Sequence, residues 1–306
     1  MNIKYKTPNP LIRGVEKTED AYVFTMEVGD DVTDSSNCGV ILYKKDSNVE
    51  VMRIPFSKGI TVGNVMSVCL SIDNGERFDY NFYINEDVII DTYAKVINGT
   101  SKWGVKRDFI SAALIEGDEY EVENNKYPFL HKKPDIPIND NIIYRLHVRG
   151  FTKSATSKVK NKGTFSGIIQ KIDYLKELGI NMVEFMPAYD FFELPVVKKD
   201  VHMPVMTGTD MINYWGYTDA YYFAPKAAFA GDKTRGGAAK EFKQMVNDLH
   251  KEGIEVCMEF MFADKSAEYQ MKCLRYWVME YGIDAIHLTG VSDEFLNLVK
   301  EDALLG

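Results

Sequence analysis

The chain has little that would suit a nucleic-acid partner or a membrane. Its 45 acidic residues outnumber 36 basic ones, for a formal net charge of -9, whereas phosphate binding needs a basic face. No apolar run reaches membrane-spanning length, and residues 1–10 are too polar for a secretory signal peptide. We therefore expect no nucleic-acid partner, no membrane anchor and a cytoplasmic location.

Cysteine is scarce as well. The four residues Cys38, Cys69, Cys257 and Cys273 lie far apart and show no metal-ligand spacing. Cys257 falls in an apolar run, where a thiol usually acts as a small buried hydrophobe. The sequence therefore predicts a reduced protein with no metal site and no cofactor.

Apolar and aromatic residues, by contrast, are plentiful. The apolar content of 45% predicts a real core, and 306 residues correspond to about two domains. The aromatic content of 12% suits stacking on neutral sugar rings, although most aromatic side chains in any protein belong to its core.

The N-terminal part has the pattern of an all-β domain. Short apolar or alternating runs recur between turn signals, the strongest of which is Asp73-Asn74-Gly75. The predicted strands are residues 21–28, 39–43, 51–56, 65–72 and 78–84. We predict an immunoglobulin-like β-sandwich over residues 1–120, closed by the segment 91–95. A linker rich in Asn, Lys and Pro follows over residues 121–140.

The pattern changes to alternating strands and helices over residues 141–306. Three times a helical period ends in Gly-Ile and an apolar strand follows, at Gly179, Gly253 and Gly282. Thr164 is placed to cap one helix over residues 165–178. Four strands, at 142–148, 180–186 and within 253–289, predict four β/α units, which are the first half of a TIM-type (β/α)8 barrel or an open sheet. The excursion 188–237 is too long for an ordinary loop and is expected to carry function.

Chemistry in such folds lies at the carboxyl ends of the strands. The third strand ends near Glu259, Ala263 and Asp264, and the fourth near His287 and Thr289. Glu259 and Asp264 are five residues apart, one inside the strand and one beyond it, so we do not expect them to act as a pair.

Several motifs together resemble the α-amylase superfamily, in its branch of glycogen-debranching, isoamylase and pullulanase enzymes. Residues 144–152 resemble the first strand of that branch, 163–179 its first helix and 183–187 its second strand. The most distinctive stretch is Asn213-Tyr-Trp-Gly-Tyr217 with Tyr-Phe-Ala-Pro at 222–225. The N-terminal domain is similar to the carbohydrate-binding-like sandwich that precedes these barrels. The resemblance implies an α-glucan ligand and a retaining mechanism with two carboxylates.

The motifs that should carry catalysis depart from the family. The third-strand motif Asp-Val-Val-Tyr-Asn-His reads Glu259-Phe-Met-Phe-Ala263-Asp264 here. In the fourth strand, His287 replaces the orienting arginine and Thr289 replaces the attacking aspartate. A threonine hydroxyl is barely ionised without an adjacent base. The family's general acid and third carboxylate come from later strands, which do not occur before Gly306. We therefore predict no catalytic residues in this chain.

The resemblance also nominates sugar-binding residues. Tyr217 matches the aromatic residue that stacks on the sugar, although a packed loop tyrosine would read the same way. Trp215 and Asn213 belong to the same motif, and we interpret Trp215 as structural. His147 and Arg149 end the first predicted strand near any retained pocket. A lone His287 is more typical of a satisfied polar neighbour than of a ligand, and solvation accounts for Asp190 and Glu193.

Three hypotheses follow. The chain is a non-catalytic homologue that binds α-glucan or acts structurally, the N-terminal piece of an active α-glucan hydrolase or transferase, or an interaction protein that has also lost sugar binding. If 306 residues is the mature length, unpaired strand edges predict a homo-oligomer or a partner chain.

Overall fold

The computed structural model describes residues 3–8, 13–18, 21–29, 32, 34–72, 77–105, 109–114, 133–194 and 212–306. The chain forms two compact units, one of residues 1–99 with 108–116 and one of residues 100–107 with 117–306. The turn predicted at Asp73-Asn74-Gly75 and most of the linker predicted over 121–140 lie outside the described residues, so the predicted domain boundaries stay predictions.

Two antiparallel sheets make up the described part of the first unit. The first sheet contains β1 (Ile3–Lys6), β2 (Gly14–Lys17), β3 (Tyr22–Glu27), β6 (Ile60–Val62) and β7 (Val65–Ile72), and the second contains β4 (Cys38–Lys44), β5 (Glu50–Pro55), β8 (Phe78–Ile84), β9 (Asp87–Ile89), β10 (Ile97–Asn98) and β11 (Ser111–Ala113). The strand orders are β1-β7-β3-β2, with β6 on β7, and β10-β11-β8-β4-β5, with β9 on β8.

Aromatic side chains join the two sheets of this unit. The rings of Phe24 on β3 and Tyr80 on β8 pack edge to face, with their centroids 5.5 Å apart. The Tyr80 hydroxyl donates a 2.6 Å hydrogen bond to the buried carboxyl of Asp91, which also accepts one from the Tyr93 N–H. Burial raises the pKa of Asp91 to about 6. The segment 91–95, predicted to close the domain, is thus anchored in the core, while the immunoglobulin-like topology stays a prediction.

The second unit is built on a parallel sheet. Its strands are β12 (Ile143–Leu146), β13 (Met182–Phe185), β16 (Glu255–Phe260) and β17 (Ala285–Leu288), in the order β12-β13-β16-β17. The order of the strands in the sheet follows their order in the chain, as it does in folds built from successive β/α units. A two-stranded hairpin of β14 (Tyr189–Phe191) and β15 (Ala220–Pro225) stands within the predicted excursion.

Helices connect these strands. They are α1 (Val148–Lys153), α2 (Phe165–Ile169), α3 (Ile172–Glu177), α4 (Gly237–Lys251), α5 (Ala267–Tyr281) and α6 (Asp293–Glu301). Gly179, Gly253 and Gly282 follow helices at positive φ, as the repeated Gly-Ile pattern predicts. Among the described residues, every helix is too short or too polar to cross a lipid bilayer.

The single helix predicted over residues 165–178 is wrong, because the segment is divided into α2 and α3. Thr164 does cap α2, since its hydroxyl oxygen accepts a hydrogen bond from the Gly167 N–H at 3.1 Å. The Lys171 N–H then bonds back to the carbonyl of Ile168 at 2.8 Å, three residues away. This tight turn interrupts the helical ladder before α3 begins.

Candidate functional site

Charged side chains gather on one face of the parallel sheet. The strand register places Arg145 of β12 beside Glu184 of β13, and Glu259 of β16 beside His287 of β17. Glu184 in turn pairs with Cys257, two residues before Glu259. Because register partners and alternate residues of a strand point to the same side, all four side chains lie on one face. The face therefore combines two carboxylates, a guanidinium and an imidazole.

Glu259 is the centre of this cluster and is 1% exposed. Its carboxylate accepts hydrogen bonds from Arg145 Nη2 at 2.6 Å, from the Tyr217 hydroxyl at 3.0 Å to each oxygen, and from Thr289 Oγ1 at 3.1 Å. These donors offset the cost of burying a charge. The bond to Glu259 raises the pKa of Arg145, and burial followed by the same carboxylate raises the pKa of Tyr217 to about 12.

The other predicted strand-end residues are placed around this carboxylate. Thr289 follows β17 and directs its hydroxyl at Glu259. His287 bonds through Nδ1 to Glu184 Oε1 at 2.8 Å, the satisfied polar neighbour that was expected. The Ala263 N–H donates to the Tyr222 hydroxyl at 2.9 Å, and Asp264 lies beyond β16 at a left-handed φ of 47°.

Arg145 and Glu184 are the site residues that sequence reasoning missed. Arg145 Nε lies 3.0 Å from Glu184 Oε1, so the guanidinium bridges both carboxylates of the cluster. The available signal was a charge inside each of two otherwise apolar strands, since buried charges are almost always paired.

His147 contacts the Asn213–Tyr217 segment, here called the motif loop, and its role in sugar binding stays a prediction. Its Nδ1 accepts the Gly150 N–H at 3.0 Å and its Nε2 lies 2.9 Å from the Tyr214 carbonyl oxygen, so Nε2 carries the proton and donates it. The ring also stacks on Tyr214 at 4.4 Å. The predicted end of the first strand at Val148 is wrong, because β12 stops at Leu146 and His147 caps α1.

The neutral form of His147 should make stability depend on pH. Burial lowers its pKa from 6.5 to about 4, so the unfolded state binds the proton more readily. The associated stability is complete above pH 6.5 and is lost as the pH falls toward 4, by about 3 kcal/mol in all. We expect urea unfolding between pH 7.5 and 4.5 to show this fall in the wild type and a shallower one in His147→Gln.

The comparison between the two proteins isolates His147 from other titrating groups. Asp91 acts in the opposite direction, because its raised pKa costs stability as the pH rises, and it is common to both proteins. Equal pH slopes for the wild type and His147→Gln would contradict the prediction.

The Asn213–Tyr217 loop presents aromatic rings to solvent. Asn213 Oδ1 accepts the Gly216 N–H at 3.1 Å, and Gly216 has a φ of +83°, where a Cβ would come within 2.4 Å of the Phe191 ring. Trp215 is 51% exposed and Tyr217 is 38% exposed. Trp215, interpreted as structural, therefore offers at least as much free surface as Tyr217.

The expectation of solvated carboxylates at Asp190 and Glu193 is wrong, because both are buried. Lys226, itself fully buried, places Nζ 2.6 Å from Glu193 Oε1 and 3.4 Å from Asp190 Oδ1. It also donates to the Phe191 carbonyl at 2.6 Å. The partner Lys226 directly follows β15, across the hairpin from both acids, which local sequence could not indicate.

Parts of the chain are similar in sequence to known proteins. The family model described as Alpha amylase, catalytic domain, matches residues 146–276. The maize protein named Isoamylase SU1, chloroplastic, is 34% identical over 220 residues, which are 65% of this chain and 26% of that protein. The Glycogen operon protein GlgX homolog of Haemophilus influenzae is 26% identical over 283 residues, 86% of this chain and 40% of that protein.

Solved structures show the same fold. A pullulanase from Paenibacillus barengoltzii, crystallised with maltohexaose and α-cyclodextrin, superimposes with a TM-score of 0.72 at 19% identity. The match covers 96% of this chain and 52% of the pullulanase chain. The chain thus spans less than half of the length of the curated relatives and about half of this structural neighbour.

Proposed function

We propose that this chain, which belongs to the debranching branch of the α-amylase superfamily, binds α-glucan without hydrolysing it. The observation that carries the proposal is that Glu259, the carboxylate beside Thr289, is buried and fully engaged. It accepts hydrogen bonds from Arg145, Tyr217 and Thr289. A retaining glycosidase needs a carboxylate that can reach the anomeric carbon, and Thr289 cannot replace it.

Glucan binding is supported by the exposed rings of the motif loop. The Tyr217 hydroxyl is fixed by the Glu259 carboxylate and also accepts from Arg145 Nη2 at 2.8 Å, which orients the ring. A ring held in one orientation loses less conformational freedom when a ligand binds. The pullulanase solved with maltohexaose shows that a protein of this fold binds such a ligand.

Titration calorimetry with maltoheptaose tests the proposal. We expect Tyr217→Ala to weaken binding about tenfold, because the stacking surface is lost, and Tyr217→Phe to weaken it about threefold, because only the anchoring of the ring is lost. Tyr174→Ala is the matched control, since Tyr174 is 40% exposed but lies on α3.

The calorimetry also separates the hypotheses. Absence of binding heat for the wild type at millimolar maltoheptaose would favour an interaction protein that has lost sugar binding. Equal weakening by the substitutions at Tyr174 and Tyr217 would remove the motif loop from the glucan site.

A second candidate function is the N-terminal piece of an active α-glucan hydrolase or transferase. The observation that favours it is coverage, since the chain matches only 26% and 40% of two curated relatives. On this hypothesis the four β/α units are the first half of a (β/α)8 barrel. Sequencing the gene beyond residue 306 decides it: further strands that end in Glu and Asp would support it, and a stop codon would exclude it.

A further inference from the structure

Three potential metal ligands come together on the charged face of the parallel sheet. Glu184, Glu259 and His287 each offer one donor atom, and these atoms lie within 4.8 Å of one another. They belong to the adjacent strands β13, β16 and β17, whose register fixes their spacing. The backbone ladder therefore holds the three donors near a common point, and no loop has to fold to bring them together.

The chemistry and mobility of these donors suit a divalent transition ion. Two carboxylates and one imidazole are ligands that Zn²⁺ accepts at about 2.0–2.2 Å, so a small inward movement would close the set around one ion. The Glu259 and Glu184 side chains are held by burial, whereas that of His287 is 44% exposed and can adjust. Thr289, which donates to Glu259, would orient that ligand from outside.

In the structure, the guanidinium of Arg145 supplies the positive charge between the two carboxylates. Its Nε and Nη2 lie 3.0 and 2.6 Å from Glu184 and Glu259. One guanidinium leaves these two carboxylates with a net charge of -1 when His287 is neutral, whereas a dication would balance them. The Arg145 side chain is 46% exposed, so it can turn into solvent without losing a buried position.

We propose that Glu184, Glu259 and His287 form a binding site for one divalent transition ion of the Zn²⁺ class, which displaces the guanidinium of Arg145. This departs from the sequence expectation of no metal site. The proposal does not rest on glucan binding, but the two sites share Glu259 and Arg145, both of which hydrogen-bond to the Tyr217 hydroxyl.

The thiol of Cys257 gives the site a spectroscopic signature. Cys257 lies beside Glu184 in the strand register, but the three donor atoms that lie within 4.8 Å of one another belong to Glu184, Glu259 and His287, so the assigned ligand set contains no thiol. Co²⁺, used as a coloured substitute for Zn²⁺, should therefore show ligand-field bands without a thiolate charge-transfer band. A strong charge-transfer band would overturn the assigned ligand set.

Calorimetry of the chelator-treated and dialysed full chain with Zn²⁺ at pH 7.5 tests the proposal. We expect one ion per chain in the wild type and at least about tenfold tighter binding in Arg145→Gln, because the competing cation is gone. Glu184→Gln and His287→Asn should each weaken binding at least about tenfold. Lys176→Gln, which breaks the ion pair with Glu252 elsewhere in the unit, should leave the affinity unchanged.

Several outcomes would overturn the proposal. These are no binding by either the wild type or Arg145→Gln, equal affinity of the two, or binding that survives both Glu184→Gln and His287→Asn, which would place the ion elsewhere. Arg145→Lys keeps the positive charge and should bind close to wild-type affinity. If circular dichroism shows that Arg145→Gln is unfolded, the losses in Glu184→Gln and His287→Asn decide the question.

Discussion

No reducing sugar is expected to accumulate when the purified chain is incubated with amylopectin, pullulan or maltoheptaose. Removal of a nucleophile from a catalytic unit costs about 10⁴–10⁶ in rate, and a threonine hydroxyl does not replace a carboxylate nucleophile. The base beside the Thr289 hydroxyl is the Glu259 carboxylate, which is buried and also accepts hydrogen bonds from Arg145 and Tyr217. A reducing-end assay over days, with an active pullulanase as the positive reference, measures the result.

Restoring the family residue should not restore activity. In Thr289→Asp the new carboxylate would stand within hydrogen-bond reach of Glu259, where Thr289 Oγ1 now lies at 3.1 Å. Two carboxylates at that distance cannot both ionise, so one of them would be protonated. Thr289→Asn is the neutral control of the same size.

Hydrolysis by the wild type would contradict the prediction and support an active enzyme. Hydrolysis by Thr289→Asp alone would show that the rest of the catalytic site is intact and that a single substitution silenced it.

Lys226→Met should destabilise the second unit by about 3–5 kcal/mol. The substitution leaves the buried carboxylates of Asp190 and Glu193 without the ammonium group that now lies between them. Such a loss is a large fraction of the 5–15 kcal/mol that typically stabilises a domain. Urea unfolding followed by circular dichroism measures the change.

Two controls interpret the Lys226 experiment. Lys176→Met removes an exposed ion pair with Glu252 and should cost under about 1 kcal/mol. Combining Lys226→Met with Asp190→Asn and Glu193→Gln removes both carboxylate charges and should recover part of the loss. Equal losses of stability in Lys226→Met and Lys176→Met would show that the buried ion pairs of Lys226 with Asp190 and Glu193 stabilise the unit no more than an exposed pair does.

The parts of the fold that local chemistry determines were predictable. Gly179, Gly253 and Gly282 end helices because the left-handed conformation favours glycine, and apolar runs between them form strands. Thr164 caps its helix by the same kind of short-range bond. The division of that helix into α2 and α3 was missed, because a periodic apolar face continues across the tight turn at Lys171.

The candidate site was less predictable, because its contacts join distant residues. The motif comparison located Thr289, His287 and Tyr217, but it could not show that Arg145 bridges Glu184 and Glu259, since that depends on the register of three strands. The contact of His147 was missed for the same reason, because its partner, the Tyr214 carbonyl, is 67 positions away.

The spread of donors around Glu259 bears on the order of folding. Its hydrogen-bond partners lie at residues 145, 217 and 289, so the carboxylate can meet two of them before β17 joins the sheet. Until β17 docks, one edge of β16 is unpaired, and an intermediate in that state would offer β16 to strands of other chains.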